Sequence, residues 1–342
     1  MIPHSRPSLG KEEEEAALRI IRSGMLAQGD EVAHLEQSLA ERLQAKHVIA
    51  VNSGSAALHL ALLVLTLPPK ANVLLPSYVC TALLNAIRLT GNTPILADID
   101  PKTFQLVAST TEHDAIQAVL APHMFGHTVD IDTLRTFDTP LIEDCALALG
   151  ARYKGKPVGG FGDLAICSFY ATKVICGGEG GAIATSSDTL AEHLRDLRDY
   201  DGRKDTKLRY NYKLTDLQAA LINAQLDKLD AFLQRRLNLG KVYAAGLSQT
   251  DAVLPFFKEG EFPFRYVITH PKPASELITA FESRGVSVRN PVFYPLHNLL
   301  KLDDASYPHT TQTHKHAISI PLYPDLSDIE VDHILQVAQE LL

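Results

Sequence analysis

The segment "HVIAVNSGSAALHLALLVLTL", residues 47–67, decides the class of fold. Residues 48–51 form a continuous apolar run with β-branched side chains, which is typical of a strand buried on both faces. A turn containing Gly54 follows, and residues 55–67 are mostly apolar, which predicts a buried helix. A strand that leads directly into a helix is the first half of a β-α-β unit. The segment therefore predicts an α/β protein.

The same alternation continues on both sides of this segment. Stretches with apolar residues at helical spacing alternate with short apolar runs that end in turns. This pattern is typical of a largely parallel sheet whose faces are covered by helices. We predict helices at 12–23, 31–45, 80–91 and 327–342, and strands at 72–78, 93–100 and 139–146.

A single long helical pattern at residues 215–247 precedes a change in the composition of the sequence. After it the expected strands are shorter and prolines are more frequent. We therefore place a domain boundary near Asn238. This predicts a large, mostly parallel sheet domain at 1–238, which includes the N-terminal segment, and a smaller C-terminal α/β domain at 239–342.

The composition argues against several classes of protein. The chain of 342 residues is 46% hydrophobic, with a net charge of −8 and no block of Lys or Arg, so a nucleic-acid partner is not expected. Residues 1–15 lack the apolar core of a signal peptide, and the apolar run at 60–67 is too short to span a bilayer. We expect a soluble, cytoplasmic protein without membrane contact. The cysteines show no CxxC spacing and are expected to be buried thiols of a reducing compartment: Cys80, Cys145, Cys167 and Cys176.

Two glycine-rich segments have the spacing of nucleotide-binding loops without meeting their other requirements. Residues 150–157, "GARYKGKP", match the glycine and lysine spacing of a P-loop, but Pro157 stands where Ser or Thr would bind magnesium. Residues 160–165, "GFGDLA", match the glycine spacing of a dinucleotide fingerprint, but strand-like sequence follows instead of a helix. We expect this second segment to be a turn into a strand.

The histidines do not predict a metal site. His123 and His127 are four residues apart, but Pro122 and Gly126 argue against a helix that would present both to a metal. A further group lies in a polar, Thr-rich stretch that we expect to be a solvated loop, with a metal site as the less favoured alternative: His309, His314 and His316.

One lysine has surroundings that suit covalent chemistry. In "SFYATKVICGGEGG", residues 168–181, Lys173 stands among aromatic, small and β-branched residues, and a glycine-rich turn follows. A lysine in semi-apolar surroundings loses some preference for its charged form, and its amine can then form a Schiff base with an aldehyde. The alternative is a lysine at a strand end whose amine extends into solvent. This stretch alone leaves both interpretations open.

Two other short segments carry groups that could bind a ligand. Gly54, Ser55 and Ala56 follow a strand and open a helix, where exposed backbone N–H groups bind phosphate well. Asp144 ends an apolar strand, and ligands of open α/β sheets bind at that end. Ordinary turn chemistry and a strand-end helix cap are the respective alternatives.

Taken in order along the chain, these segments resemble a known family. The sequence is similar to the sugar aminotransferases of the DegT/StrS type, which belong to the fold-type-I enzymes that use pyridoxal 5′-phosphate. The resemblance covers nearly the whole chain. No single segment is specific to the family, but the order of the segments is. It is carried by "SRPSLGKEE", "SGSAALHLAL", "TGNTPILADID", "EDCALALGA", "GKPVGGFGDLAICSFYATK", "GGEGGAI", "RYNYKLTDLQAAL", "FYPLH" and "SIPLYPDLS".

The resemblance implies roles for particular residues. Lys173 corresponds to the Schiff-base lysine and general base, and Asp144 to the partner of the pyridine nitrogen, which it keeps protonated. Asn211 corresponds to an asparagine that reaches the phosphate from the neighbouring subunit, which implies a homodimer with shared active sites. The remaining phosphate contacts fall on Gly54, Ser55, Ala56 and Ser168.

The sequence departs from the family at two positions beside the cofactor. Leu147 stands where the family usually has a glutamine or histidine that bonds the phenolic oxygen. Cys80 stands where an aromatic side chain commonly stacks on the ring. Tyr78 is close by, but in an extended segment it points the other way.

The resemblance also implies a reaction. We expect an amino group to move from an amino acid, L-glutamate by resemblance, to a nucleotide-linked keto sugar in polysaccharide biosynthesis. Tyr294, His297 and Arg289 lie in the part of the chain that resembles the family's sugar-nucleotide side, with a role at a domain interface as the alternative. A pyridoxal phosphate-dependent sugar dehydratase and a non-catalytic regulatory or scaffold protein are the other candidates. The dehydratases of this group replace the lysine with histidine, so Lys173 argues against the first.

Overall fold

The computed structural model describes residues 1–108 and 115–342. Its strands are β1 (His47–Val51), β2 (Asn72–Pro76), β3 (Thr93–Ala97), β4 (Ala118–Pro122), β5 (Leu141–Asp144), β6 (Arg152–Tyr153), β7 (Lys156–Pro157), β8 (Leu164–Ser168), β9 (Gly181–Thr185), β10 (Tyr266–Thr269) and β11 (Ala317–Ile320). Its helices are α1 (Lys11–Ser23), α2 (Asp30–Leu43), α3 (Gly54–Val64), α4 (Thr81–Leu89), α5 (Ile131–Arg135), α6 (Asp188–Arg198), α7 (Asp216–Asp227), α8 (Leu229–Gly246), α9 (Ala274–Ser283), α10 (Leu296–Leu299), α11 (Pro308–His316) and α12 (Asp328–Leu341). Within those residues, no helix is both long enough and apolar enough to cross a membrane.

A seven-stranded sheet forms the centre of the described chain, in the order β1-β9-β8-β5-β4-β2-β3. The pairs among β3, β2, β4, β5 and β8 are all parallel, whereas β9 runs antiparallel between β1 and β8. This confirms the predicted α/β class and the largely parallel sheet. Residues 152–157 form the small antiparallel pair β6-β7, and 160–165 lead into β8 as expected.

Both faces of the sheet are covered. In β1, Ile49 and Val51 pack with α3 on one face, while Val48 and Ala50 pack with α2 on the other. Successive side chains of a strand point to opposite faces, so an unbroken apolar run is what a doubly covered sheet requires. The segment that decided the fold class therefore folds as predicted, from strand to turn to helix.

A second apolar core lies in the C-terminal part of the chain, around the antiparallel pair β10-β11. Along α8, Leu237 packs with the core of the large sheet, whereas Leu239 and Tyr243 pack with this C-terminal core. Ile2 also joins the C-terminal core and pairs with Val286 through a parallel bridge. The boundary predicted near residue 238 coincides with this change of packing partners, and the division into two domains stays a prediction.

The single long helix expected at 215–247 is wrong, because the structure has two helices. They meet at Lys228, where φ is −95° and ψ is −2°. The Nζ of Lys228 lies 2.5 Å from the carboxylate of Glu13 in α1. Both helices keep their apolar spacing through the break, so periodicity alone does not reveal it.

The solvated loop expected around His309, His314 and His316 is also wrong, since these residues lie in α11. Pro308 occupies the first turn of that helix, where a missing N–H costs nothing. The carboxylate of Asp98 accepts hydrogen bonds from the His309 and Thr310 amides, at 2.9 and 2.8 Å. A cap that comes from more than 200 residues away leaves no local signal in the sequence.

A buried carboxylate joins the start of α7 to the start of α2. Helix α2 begins after Gly29, which has no side chain to cap it. Asp216 is 4% exposed and accepts hydrogen bonds from the amides of Gly29, Val32 and Glu31, at 2.7, 3.1 and 3.3 Å. This single side chain thus satisfies the donors at the beginning of another helix.

We expect Asp216→Ala to lower the free energy of unfolding by about 2 kcal/mol, because it leaves the α2 amides without an acceptor. Urea denaturation followed by circular dichroism measures this change. Asp227→Ala is the matched control, since Asp227 is exposed near the end of the same helix. Equal stability of the two variants would contradict the capping role.

Candidate active site

A cavity of about 470 Å³ opens at the carboxyl ends of the parallel strands. Ligands of open α/β sheets bind at this edge. Strand β5 delivers Asp144 to the cavity, β4 delivers Pro122, and the segment after β2 delivers Cys80. Sequence-predicted residues that line the cavity are Cys80, Asp144, Leu147, Lys173, Arg289 and Tyr294.

Asp144 is a buried carboxylate with too few hydrogen-bond donors. It is the last residue of β5 and is 6% exposed. In the described residues its only hydrogen-bond donor is the Ala146 amide, at 2.9 Å. Burial raises the pKa of Asp144, while the Ala146 amide and the charge of Lys173 oppose that shift. A cation or N–H donor in the cavity would therefore be bound strongly by this side chain.

The preceding residue, Glu143, has the opposite environment. Its carboxylate accepts hydrogen bonds from the amides of Gly159, Phe161 and Gly162, at 2.9, 2.8 and 2.6 Å, and from His123 at 3.1 Å. Burial disfavours its charge, but His123 and these amides outweigh burial and lower the pKa of Glu143.

His123, Glu143 and Cys145 place their potential metal-ligand atoms within 4.8 Å of one another. The carboxylate of Glu143 is already bonded to four donors. The remaining ring nitrogen of His123 accepts from the Val129 amide at 3.1 Å. The polar atoms of Glu143 and His123 are thus in use within the hydrogen-bonded core.

Lys173 lies in the turn between β8 and β9. Its amide donates to the carbonyl of Tyr170 at 2.8 Å, and its Nζ lies 6.0 Å from the centre of the Phe264 ring. Burial lowers the pKa of Lys173, and the charge of Arg265 adds to this, although Cys80 and Asp144 oppose the shift. The neutral, nucleophilic form of the amine is therefore easier to reach than for a lysine in water.

The start of α3 leaves backbone donors free beside a hydroxyl group. The Ser53 hydroxyl caps α3 by accepting from the Ala56 amide at 3.1 Å. Within the described residues, the amides of Gly54 and Ser55 have no acceptor. A Cβ on Gly54 would lie 2.8 Å from the Cβ and Oγ of Ser168, so glycine permits this close approach. Two of the three predicted amides thus remain available to an anion.

Of the other predicted residues, Arg289 lines the cavity, whereas Asn211 and His297 do not. Asn211 is exposed, and its carbonyl accepts from the Asn52 side chain at 3.3 Å, beside the turn before α3. Arg289 is exposed and pairs with Glu282. His297 is fully buried, with a ring nitrogen 2.7 Å from the Ser77 hydroxyl, and it does not line the cavity.

The two departures from the family pattern both face the cavity. Leu147 and Cys80 line it, whereas Tyr78 is fully buried and packs against Phe104. The expected burial of all four cysteines is wrong for Cys80, which is exposed where the cavity opens. The surrounding protein still limits the solvation of its thiol, and this raises the pKa of Cys80.

Two residues that line the cavity next to Lys173 were not predicted from the sequence: His4 and Arg265. Arg265 stands just before β10 in the otherwise apolar stretch "FPFRYVIT". A single charge in an apolar stretch was the signal that the sequence offered. His4 belongs to the N-terminal segment, and nothing local indicates that this segment returns to the site.

Comparisons with known proteins agree with this geometry. The chain matches the DegT/DnrJ/EryC1/StrS aminotransferase family over residues 7–339. It is 30% identical to GDP-perosamine synthase of Escherichia coli O157:H7, over 99% of this chain and 98% of that protein. It is 32% identical to the spore coat polysaccharide biosynthesis protein SpsC of Bacillus subtilis, over 100% and 97%. The PLP form of Spr1654 from Streptococcus pneumoniae superposes with a TM-score of 0.92 at 25% identity, over 100% and 99% of the two chains.

We expect one cysteine of the folded protein to react with Ellman's reagent, because Cys80 opens to the cavity and the other three are buried. Its raised pKa keeps the thiolate scarce at pH 7, so the rate should rise about tenfold per pH unit until the pKa is reached. Absorbance at several pH values measures this rate. Cys80→Ser is the control and should lack the phase. A second thiol with a similar rate, or a rate independent of pH, would contradict the described cavity.

Proposed function

The chain belongs to the DegT/DnrJ/EryC1/StrS aminotransferase family, and on that premise we propose that it transfers the amino group of an amino acid to a nucleotide-linked keto sugar. The enzyme is a transaminase whose cofactor is pyridoxal 5′-phosphate. L-glutamate is the donor that we expect. The similarity to GDP-perosamine synthase and to SpsC supports an acceptor on the route to a polysaccharide. The observation that carries the proposal is the shared cavity of Lys173 and Asp144, whose pKa values are shifted in opposite directions.

The residues present fit the cofactor. Asp144 is a buried carboxylate with a single donor, which suits a protonated pyridine nitrogen. The free amides of Gly54 and Ser55, beside the Ser168 hydroxyl, suit a phosphate at a helix N-terminus. Lys173 offers an amine of lowered pKa to an aldehyde. We therefore propose that these residues hold the cofactor.

When bound, pyridoxal 5′-phosphate supplies an electron sink that makes the Cα proton of an amino acid removable. Lys173 is proposed first to hold the cofactor through Nζ and then to carry the proton that moves during transfer. A base of this kind must give up its proton readily, and burial of Lys173 favours the neutral amine.

Asp144 is proposed to keep the pyridine nitrogen protonated. Its carboxylate lies at the end of a central strand, where the backbone fixes its position. Leu147 and Cys80 form a part of the wall that offers no strong hydrogen bond. We infer that Asp144, and neither of these two residues, controls the electron-withdrawing character of the cofactor ring. Leu147 and Cys80 keep water away from the reacting atoms.

We also propose that the enzyme acts as a homodimer with shared sites. Several apolar residues are exposed on α1 and just after it, which supports an interface there: Leu18, Ile21, Met25 and Leu26. Asn211 is exposed and free to reach a partner's phosphate site. All four cysteines are free thiols, in keeping with the cytoplasm as the place of action.

We expect Lys173→Ala to abolish the response to an amino donor. In the wild type, the visible band of the bound cofactor should fade toward the near-ultraviolet when L-glutamate is added. In the variant the rate of this change should fall by at least about 1000-fold, since nucleophile and base are both lost. Stopped-flow absorbance measures it, and Lys154→Ala is the control because Lys154 is an exposed surface lysine.

Other outcomes separate the competing functions. Full turnover in Lys173→Ala would exclude the proposed mechanism. A wild-type product that has lost a hydroxyl group without gaining nitrogen would indicate a dehydratase. A pure protein that binds no pyridoxal phosphate would indicate a scaffold that retains the fold.

Shared sites predict complementation between two inactive variants. We expect Lys173→Ala and Asn211→Asp, each with little or no activity alone, to regain activity when co-expressed, because a mixed dimer then contains one site with both native residues. Turnover of the purified mixed dimer measures this recovery. A mixture no more active than its components would place Asn211 in its own chain's site or outside it.

A further inference from the structure

Arg265 is a cation in the cavity wall that the proposed function does not use. Its side chain has five N–H donors, and in the described residues one of them is used, donating to the carbonyl of Pro291 at 2.9 Å. None of those residues places a carboxylate within ion-pair distance of it. The titratable groups close enough to interact with its charge include Tyr78, Cys80 and Lys173.

Two other arginines of low exposure have more hydrogen-bond acceptors than the single one of Arg265. Arg198 pairs with Glu36 at 2.7 Å. Arg236 donates to the carbonyls of Phe264 and Leu322, at 2.9 and 3.1 Å. A guanidinium stays charged in a protein, and a poorly solvated charge without a partner is costly. Arg265 lines the cavity and has donors to spare, so a ligand bound there could supply the anion that the described residues do not.

The position of Arg265 defines where that anion would bind. The Cζ of Arg265 and the Nζ of Lys173 lie 5.9 and 6.0 Å from the centre of the same Phe264 ring. Both residues, together with His4, also line a narrow cleft that adjoins the cavity. Burial and the charges of Arg265 and Arg289 lower the pKa of His4 to about 3. His4 is therefore neutral, and Arg265 supplies the charge.

We propose that Arg265 binds the α-carboxylate of the amino donor through a bidentate ion pair. The proposal rests on the proposed function. The α-carboxylate is one bond from the carbon that gives up its proton to Lys173, so its anchor must lie beside Lys173. A sugar ring separates the diphosphate of a nucleotide sugar from the reacting carbon, so those charges bind farther away. The planar fork of arginine matches a carboxylate in shape and charge.

The test compares Arg265→Leu with wild-type holoenzyme. We expect the apparent Kd of L-glutamate, from the concentration dependence of the cofactor's absorbance change, to rise about 10- to 100-fold. A second readout needs no reaction. Glutarate, which lacks the amine, should raise the melting temperature of the wild type but not of the variant, whereas GDP or UDP should shift both equally. Arg284→Leu is the matched control, because Arg284 forms an exposed ion pair in the same part of the chain.

The outcomes of this experiment separate failure of the Arg265 proposal from failure of the proposed function. An unchanged Kd for L-glutamate in Arg265→Leu would overturn it. Loss of the GDP or UDP shift with an intact glutamate response would overturn it in favour of a phosphate site. If Arg265→Leu does not fold, Arg265→Lys keeps the positive charge without the planar guanidinium group and should still raise the Kd of L-glutamate. A wild-type spectrum that responds to no amino acid would refute the proposed function itself, which distinguishes the two failures.

Discussion

The buried carboxylate of Glu143 is the interaction on which the arrangement of the site depends. It belongs to the central strand β5, and its buried carboxylate binds three backbone amides of the segment 159–162 in addition to His123. That segment leads directly into β8, the strand before the turn that carries Lys173. A Cβ on Gly162 would lie 2.7 Å from the carbonyl of Leu141, so the loop can approach β5 this closely only with glycine there. The carboxylate thus holds the loop that leads into β8 against β5, and backbone pairing of the two strands completes the arrangement.

Two adjacent carboxylates on β5 have opposite environments. Glu143 is saturated with donors and its pKa is lowered, whereas Asp144 has one donor and its pKa is raised. Successive side chains of a strand point to opposite sides, so one carboxylate can face the core and the other the cavity. The first stabilises the fold, and the second is left incompletely bonded where a ligand can complete it. Arg265 is unpaired at the same cavity in a similar way, with the opposite charge.

The parts of the molecule that depend on local pattern were predictable from the sequence. The buried strand at 48–51, the helix after it and the position of Asp144 at a strand end all follow from periodicity and turn chemistry. The break at Lys228 and the helix at Pro308–His316 were not predictable, because a contact with Glu13 and a cap from Asp98 lie far away in sequence. For the same reason His4 and Arg265 were missed, since only the folded chain brings them beside Lys173.

The chain crosses between its two cores twice, through α8 and through the first residues, where Ile2 pairs with Val286 and His4 bonds Ser319 at 2.9 Å. Two crossings restrict the orientations that the C-terminal core can take relative to the sheet more than a single linker would. Contacts away from these crossings restrict it further, since the Leu296 amide donates to the Ser77 carbonyl at 2.8 Å and Phe264 packs in the core of the large sheet. The wall of the cavity that carries Arg265 is therefore held in place beside the turn that carries Lys173.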